Sequence, residues 1–215
     1  MAQIIRDTWD YDRFCSSKTA EKLAKAYLYR CLADQTYTQV ALVEDPPVGI
    51  VMAKNAAASH HLLPFGIKSA ISVLDLLRTK EGRAVSRIFM EVEKIDQELL
   101  RRCPSYDGEL AFFAVSEACR GMGLGKALFE KAVEYLRSQG ISSFYLFTDT
   151  SCNYGFYEHQ GMQQKVNRYA GWTLEITQKI LSFISMITIF RPHKISVTKR
   201  LFATLSGWFN FKSPG

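Results

Sequence analysis

The run Glu109-Leu-Ala-Phe-Phe-Ala-Val115-Ser-Glu-Ala-Cys-Arg120-Gly-Met-Gly-Leu-Gly125-Lys126 passes from an unbroken apolar stretch, Leu110 to Val115, through a glycine-rich turn into an amphipathic segment. A short apolar run bounded by turn signals reads as a buried strand. The helical spacing that follows, Phe129, Val133 and Leu136, with Gly140 as the stop, reads as a helix. A strand that enters a helix through glycines is suited to anions. The first N–H groups of a helix have no intrahelical partner and lie at the positive end of its dipole, and glycine lets the backbone approach a phosphate closely.

Spacing separates the phosphate-binding patterns that could apply. The dinucleotide fingerprint G-x-G-x-x-G needs a third glycine one position beyond Gly125. The Walker loop needs a longer interval than Gly121 to Gly125, and a hydroxyl where Ala127 follows Lys126. What remains, Arg120-x-x-Gly123-x-Gly125, resembles the R/Q-x-x-G-x-G/A signature of the GNAT acetyltransferases. Farther on, Ser142 to Thr148 reads as the next strand. It is followed by Asn153-Tyr-Gly-Phe-Tyr157-Glu-His-Gln-Gly161-Met162, which resembles the same family's second signature, F-Y-x-x-x-G-[FM] on a short helix. The two lie in the family's order over residues 109 to 169.

The resemblance implies a mixed α/β fold with a mostly antiparallel central sheet flanked by helices, acetyl-CoA as co-substrate without a metal, and direct acetyl transfer to a primary amine. It assigns the cofactor to Phe113, Ala114 and Val115 on the strand, to Arg120, Gly121, Met122, Gly123, Leu124, Gly125 and Lys126 in the turn, and to Asn153 after the next strand. The backbone near Val115 would polarise the thioester carbonyl. Tyr157 matches the family's general-acid tyrosine, which would protonate a departing thiolate. An alkyl ammonium must lose a proton before attack. Glu109 is the candidate base, with a water relay as the alternative and Glu117 a weaker candidate.

Elsewhere the chain reads in ordinary terms. Residues 17–33 form an amphipathic helix opened by a hydroxyl; Gln39 to Glu44 and Gly49 to Ala53 make a hairpin around Asp45-Pro46-Pro47; Ile67 to Leu77 and Glu81 to Arg102 carry helical spacing. His60 and His61 have no acidic or sulfur neighbour and read as solvent-facing rather than metal-binding. Met162 to Tyr169 resembles the sixth strand. The domain is then expected over residues 1–175, with an apolar and basic extension over 176–215 that supplies a last strand and a docking helix. That helix carries Ile195, Thr198, Leu201, Phe202, Leu205, Trp208 and Phe209 on one stripe, beside Lys194, Lys199, Arg200 and Lys212.

With 215 residues, 47% hydrophobic and 22% charged, the chain has the composition of one soluble domain. The net charge of +6 suits an anionic ligand, but no nucleic-acid module is visible. The run Ile180 to Phe190 falls short of the roughly 20 residues that span a bilayer, so a membrane partner is not expected and docking, within the chain or across a homodimer, is favoured. Cysteines 15, 31, 103, 119 and 152 form no metal spacing, and the N-terminus has no apolar leader, so a reducing cytoplasm without disulfides is expected. Two other readings stay open: a non-catalytic acyl-CoA sensing module, which would need no tyrosine acid, and a membrane- or partner-docked interaction protein, suggested by the tail alone. The acceptor is open among small amines, amino acids, antibiotics and protein amines.

Overall fold

The computed structural model describes residues 1–58, 62–103, 105–148 and 153–164 with their side chains, and the backbone of 165–174, 179–190 and 210–212. Seven strands form one sheet in the order β5-β6-β4-β3-β2-β1-β7. They are β1 (Tyr37–Leu42), β2 (Pro47–Asn55), β3 (Gly108–Val115), β4 (Phe144–Thr148), β5 (Met162–Leu174), β6 (Lys179–Phe190) and β7 (Asn210–Lys212). Of the neighbouring pairs only β3 and β4 run parallel; the others are antiparallel. The expected mixed, mostly antiparallel sheet is therefore present.

Helices cover both faces. On one, α5 (Leu124–Ser138) buries Leu124, Leu128, Phe129, Ala132, Val133 and Leu136 against Val51, Ala53, Leu110, Phe144 and Leu146. Burial at steps of three and four puts these side chains on one stripe, and each contributes roughly 1.5–3 kcal/mol when fully buried. On the other face, α1 (Ala2–Thr8) and α2 (Ser17–Asp34) close a second core in which Ile5, Tyr11, Leu23 and Ala24 meet Ile50, Met52, Phe112 and Ala114. The expected opening hydroxyl of α2 does not cap it through its own side chain. Glu81, from the first turn of another helix, accepts a hydrogen bond from Ser16 N–H (2.8 Å) and from the hydroxyls of Ser16 and Thr19.

Between β2 and β3 the chain makes two helices, α3 (Leu63–Leu77) and α4 (Lys80–Arg101). They meet at a corner so tight that a Cβ on Gly82 would lie 1.9 Å from the Leu76 carbonyl oxygen. The end of α4 packs Ile95, Leu99 and Leu100 against Tyr145 and Phe147 of β4. Along α3, Leu63, Ile67, Ile71 and Leu74 face outward and are exposed.

The apolar run Ile180 to Phe190 lies in β6, which inserts between β5 and β4. Asn210–Lys212 is a strand on the edge of β1, so Lys212 is not part of a helix. The stripe Ile195 to Phe209, His60, His61 and Cys152 lie outside the described residues. The other four cysteines are free thiols, and no helix among the described residues is long and apolar enough to cross a membrane.

Candidate active site

The parallel pair at the centre of the sheet is brief. Gly108 stands opposite Phe144 and Glu109 opposite Tyr145, after which β3 stays with β2 and β4 with β6. A gap therefore opens along β3 from Leu110 to Val115. The hydrogen-bond phase shows which backbone groups face it. Ser116 N–H donates to Val48 O (2.7 Å), so Ala114, two residues back, faces Ile50 in the same way. The N–H and C=O of Phe113 and Val115 point to the opposite side, into the gap. Of the three strand residues expected at the cofactor, Phe113 and Val115 thus offer free backbone and Ala114 does not. Thr148 of β4 is buried on the face it shares with Phe144 and Leu146, and its Oγ1 has no hydrogen-bond partner among the described residues.

A β-bulge sets this geometry. Phe112 opposes Met52 and Glu109 opposes Lys54, so Leu110 and Ala111 share a single position on β2. The extra residue reverses the alternation. Leu110 joins the core under α5, Phe112 the core under α2, and Phe113 and Val115 turn again toward α5. Bulges of this kind re-aim side chains beside active sites.

At the open end of the gap the turn carries Gly121 at φ +81° and Gly123 at φ +79°, conformations that glycine adopts without cost. A Cβ at either would meet nothing within 4 Å, so φ, and room for a ligand, are what require glycine there. Gly123 is the N-cap of α5, with no side chain capping it, and the N–H groups of Leu124, Gly125 and Lys126 precede the first helical bond, Ala127 N–H to Gly123 O (3.1 Å). The side chains divide the labour differently. Leu124 is core, Met122 and Lys126 are exposed, and Arg120 is exposed with Glu117 3.7 Å away. Gly125 tucks against Phe156 and Phe113, at 3.6 and 3.7 Å from a Cβ placed on it.

At the closed end lies a cleft of about 590 Å³, lined by Lys54, Gln97, Arg101, Tyr106, Glu109 and Tyr145 among others. The Tyr145 side chain stands opposite Glu109 across the strand pair, close enough for its phenol to act on the carboxyl. Burial pushes the Glu109 carboxyl above the usual carboxylate range, and the Tyr145 phenol and the Lys54 charge only partly offset it. Burial, and then the Glu109 charge, raise the Tyr145 phenol as well. Glu109 and Val115 are about 20 Å apart at ~3.3 Å per residue, so cleft and turn lie at opposite ends of β3.

Tyr157, on α6 (Tyr154–His159), is buried in the α5-side core, its ring 6.3 Å from Phe113 and 5.3 Å from Phe156. Asn153 is the N-cap of α6, yet its side chain makes no cap bond and is exposed. Glu117 is exposed in the turn, far from the cleft lining. Tyr145 was not foreseen from sequence, where it is one aromatic in an apolar strand; only strand pairing brings it to Glu109. Among the described residues no group of three His, Cys, Asp or Glu could hold a metal.

Residues 76–162 match the model of the acetyltransferase (GNAT) family. Similar solved structures include an acetyltransferase assigned to that family from Desulfovibrio desulfuricans (14% identity, TM-score 0.45, 88% of this chain and 91% of that one). Another is the polyamine N-acetyltransferase of Drosophila melanogaster (17%, 0.43, 71% and 73%). A third, assigned as a streptothricin acetyltransferase, from Bacillus anthracis, is in complex with acetyl coenzyme A (13%, 0.42, 74% and 63%). No curated protein matches the chain significantly.

Proposed function

We propose that this chain, which carries an acetyltransferase domain of the GNAT family, transfers an acetyl group from acetyl-CoA directly to a primary amine. The observation that carries the reading is the gap between β3 and β4, with free backbone at Phe113 and Val115 along β3 and uncapped N–H groups of α5 at its mouth. Those residues suit a long ligand with an anionic end. Bound there, acetyl-CoA would supply an activated acyl thioester.

The protein's own groups do the rest. The Leu124, Gly125 and Lys126 N–H groups hold the phosphates, with Gly121 and Gly123 giving close approach and Arg120 adding charge; the exposed Asn153 amide holds the far portion of the ligand. Phe113 N–H, free toward the gap and about 7 Å nearer Glu109 than Val115 N–H, stabilises negative charge on the acyl oxygen. Glu109, its pKa raised toward the working pH, accepts the amine proton, directly or through water. Tyr157 holds a proton at Oη for the leaving sulfur.

Calorimetry with acetyl-CoA and thiol release over an amine panel test the reading. Wild type binds and releases thiol with some amine. Tyr157→Phe turns over roughly 10²–10⁴-fold more slowly with cofactor affinity kept. Absent binding by wild type would overturn the function, and an unchanged rate in the Phe variant would remove Tyr157 from the chemistry.

A further inference from the structure

The cleft that holds Glu109 is lined by one acid and two bases, while Asp34 and Arg30 act on Glu109, and Asp96 on Tyr145, from beyond the lining. Lys54 and Arg101 line it together with Glu109, and Gln97, Ser105, Leu100, Tyr106 and Tyr145 supply the rest of its polar and apolar wall. Lys54 stands close enough to act electrostatically on the Glu109 carboxyl. Arg101, exposed at the rim of the cleft, has no ion pair among the described residues. Its place at the end of α4 lets it complement the helix dipole, which accounts for a cation in that turn but not for a cleft with two.

These charges sort amines by what else they carry. A polyamine or a polycationic sugar would meet Lys54 and Arg101 as like charges in the lining and could offer neither of them an anion. A simple alkylamine would satisfy Glu109 and leave Arg101 facing its apolar part. An amine with its own carboxylate satisfies both signs at once, and a bidentate guanidinium–carboxylate contact is among the stronger hydrogen-bonded pairs. The volume, about 590 Å³, lies within the range of small-molecule sites. Resting on the acetyl-transfer reading, we infer that the acceptor is a small amine bearing its own anionic group, of the amino-acid type, its ammonium at Glu109 and its carboxylate at Arg101 with Lys54.

Equilibrium binding to the full chain, with no turnover required, decides the matter. The probes are alanine and phenylalanine, each as the free acid, as its amide and as the amine without the carboxylate, together with spermidine and N-acetylphenylalanine. At least one free amino acid should bind ten-fold or more tighter than its amide, its decarboxylated form and spermidine. N-acetylphenylalanine, an anion without the amine, should bind more weakly than phenylalanine. Arg101→Gln should erase the preference for the acid over the amide without moving acetyl-CoA affinity, and with no more loss of stability than a charge at a helix end accounts for. Equal or tighter binding of spermidine or the amides, no binding of either amino acid, or an unaltered preference in Arg101→Gln would overturn the inference. Acetyl-CoA binding on the same samples separates the outcomes: its absence defeats acetyl transfer, whereas its presence with the wrong selectivity defeats only the acceptor class.

Discussion

A carboxylate at the start of a strand is ordinarily a solvated group, and Glu109 departs from this because β4 brings Tyr145 directly opposite it. The consequence is measurable in stability. A buried carboxyl whose folded pKa is raised holds its proton more tightly in the folded than in the unfolded chain. Its contribution is full below the unfolded value of about 4.3 and is lost as the pH rises through the raised folded value. Glu109→Gln, which cannot ionise, should therefore melt higher than wild type at pH 8, with the difference shrinking toward pH 4. Thermal melts of both proteins at the two pH values check this, and a flat or inverted difference contradicts it. Glu109 was legible in the sequence because it precedes a strong apolar run. Its partner was not, because a contact across parallel strands depends on register rather than on spacing along the chain. The bulge was equally hidden, since no glycine marks Leu110 or Ala111.

At the scale of elements, the turn and α5 were the most readable part, because glycines, apolar spacing and the Gly140 stop all agree. The structure adds a distinction between the glycines. Gly123 needs its positive φ, whereas a Cβ on Gly125 would make ordinary contacts with Phe156 and Phe113. Gly123→Ala should accordingly cost about 1–2 kcal/mol and weaken acetyl-CoA binding, while Gly125→Ala should fold with little loss. Urea unfolding and calorimetry on the two variants test the contrast; equal effects would mean that backbone conformation is not what the turn requires. Other elements were legible only in part. The seven residues of α1 bury just Ile4 and Ile5, too few for a periodic signal, and α2 takes its N-terminal acceptor from Glu81, a distant residue that no local pattern announces.

For the whole molecule, α/β class and mostly antiparallel pairing followed from the order of elements, but the place of β6 between β5 and β4 did not, because an apolar run carries no record of which edges it will join. That arrangement leaves the sheet as two wings, β7-β1-β2-β3 and β4-β6-β5, in direct register only at Gly108↔Phe144 and Glu109↔Tyr145. Each wing has helical contacts of its own, α5 with β1, β2 and β3 and α4 with β5 and β6, and α5 also reaches across the seam to Phe144 and Leu146. Such a seam divides a fold into cooperative units that open separately. Native-state hydrogen exchange should find the amides of Val51 and Phe112 released in a different opening from those of Leu146 and Met162. A ligand lodged in the seam would fasten the wings, merging the two openings and raising both by the binding free energy. One common opening in the free protein would show instead that the seam transmits stability as well as a full ladder does.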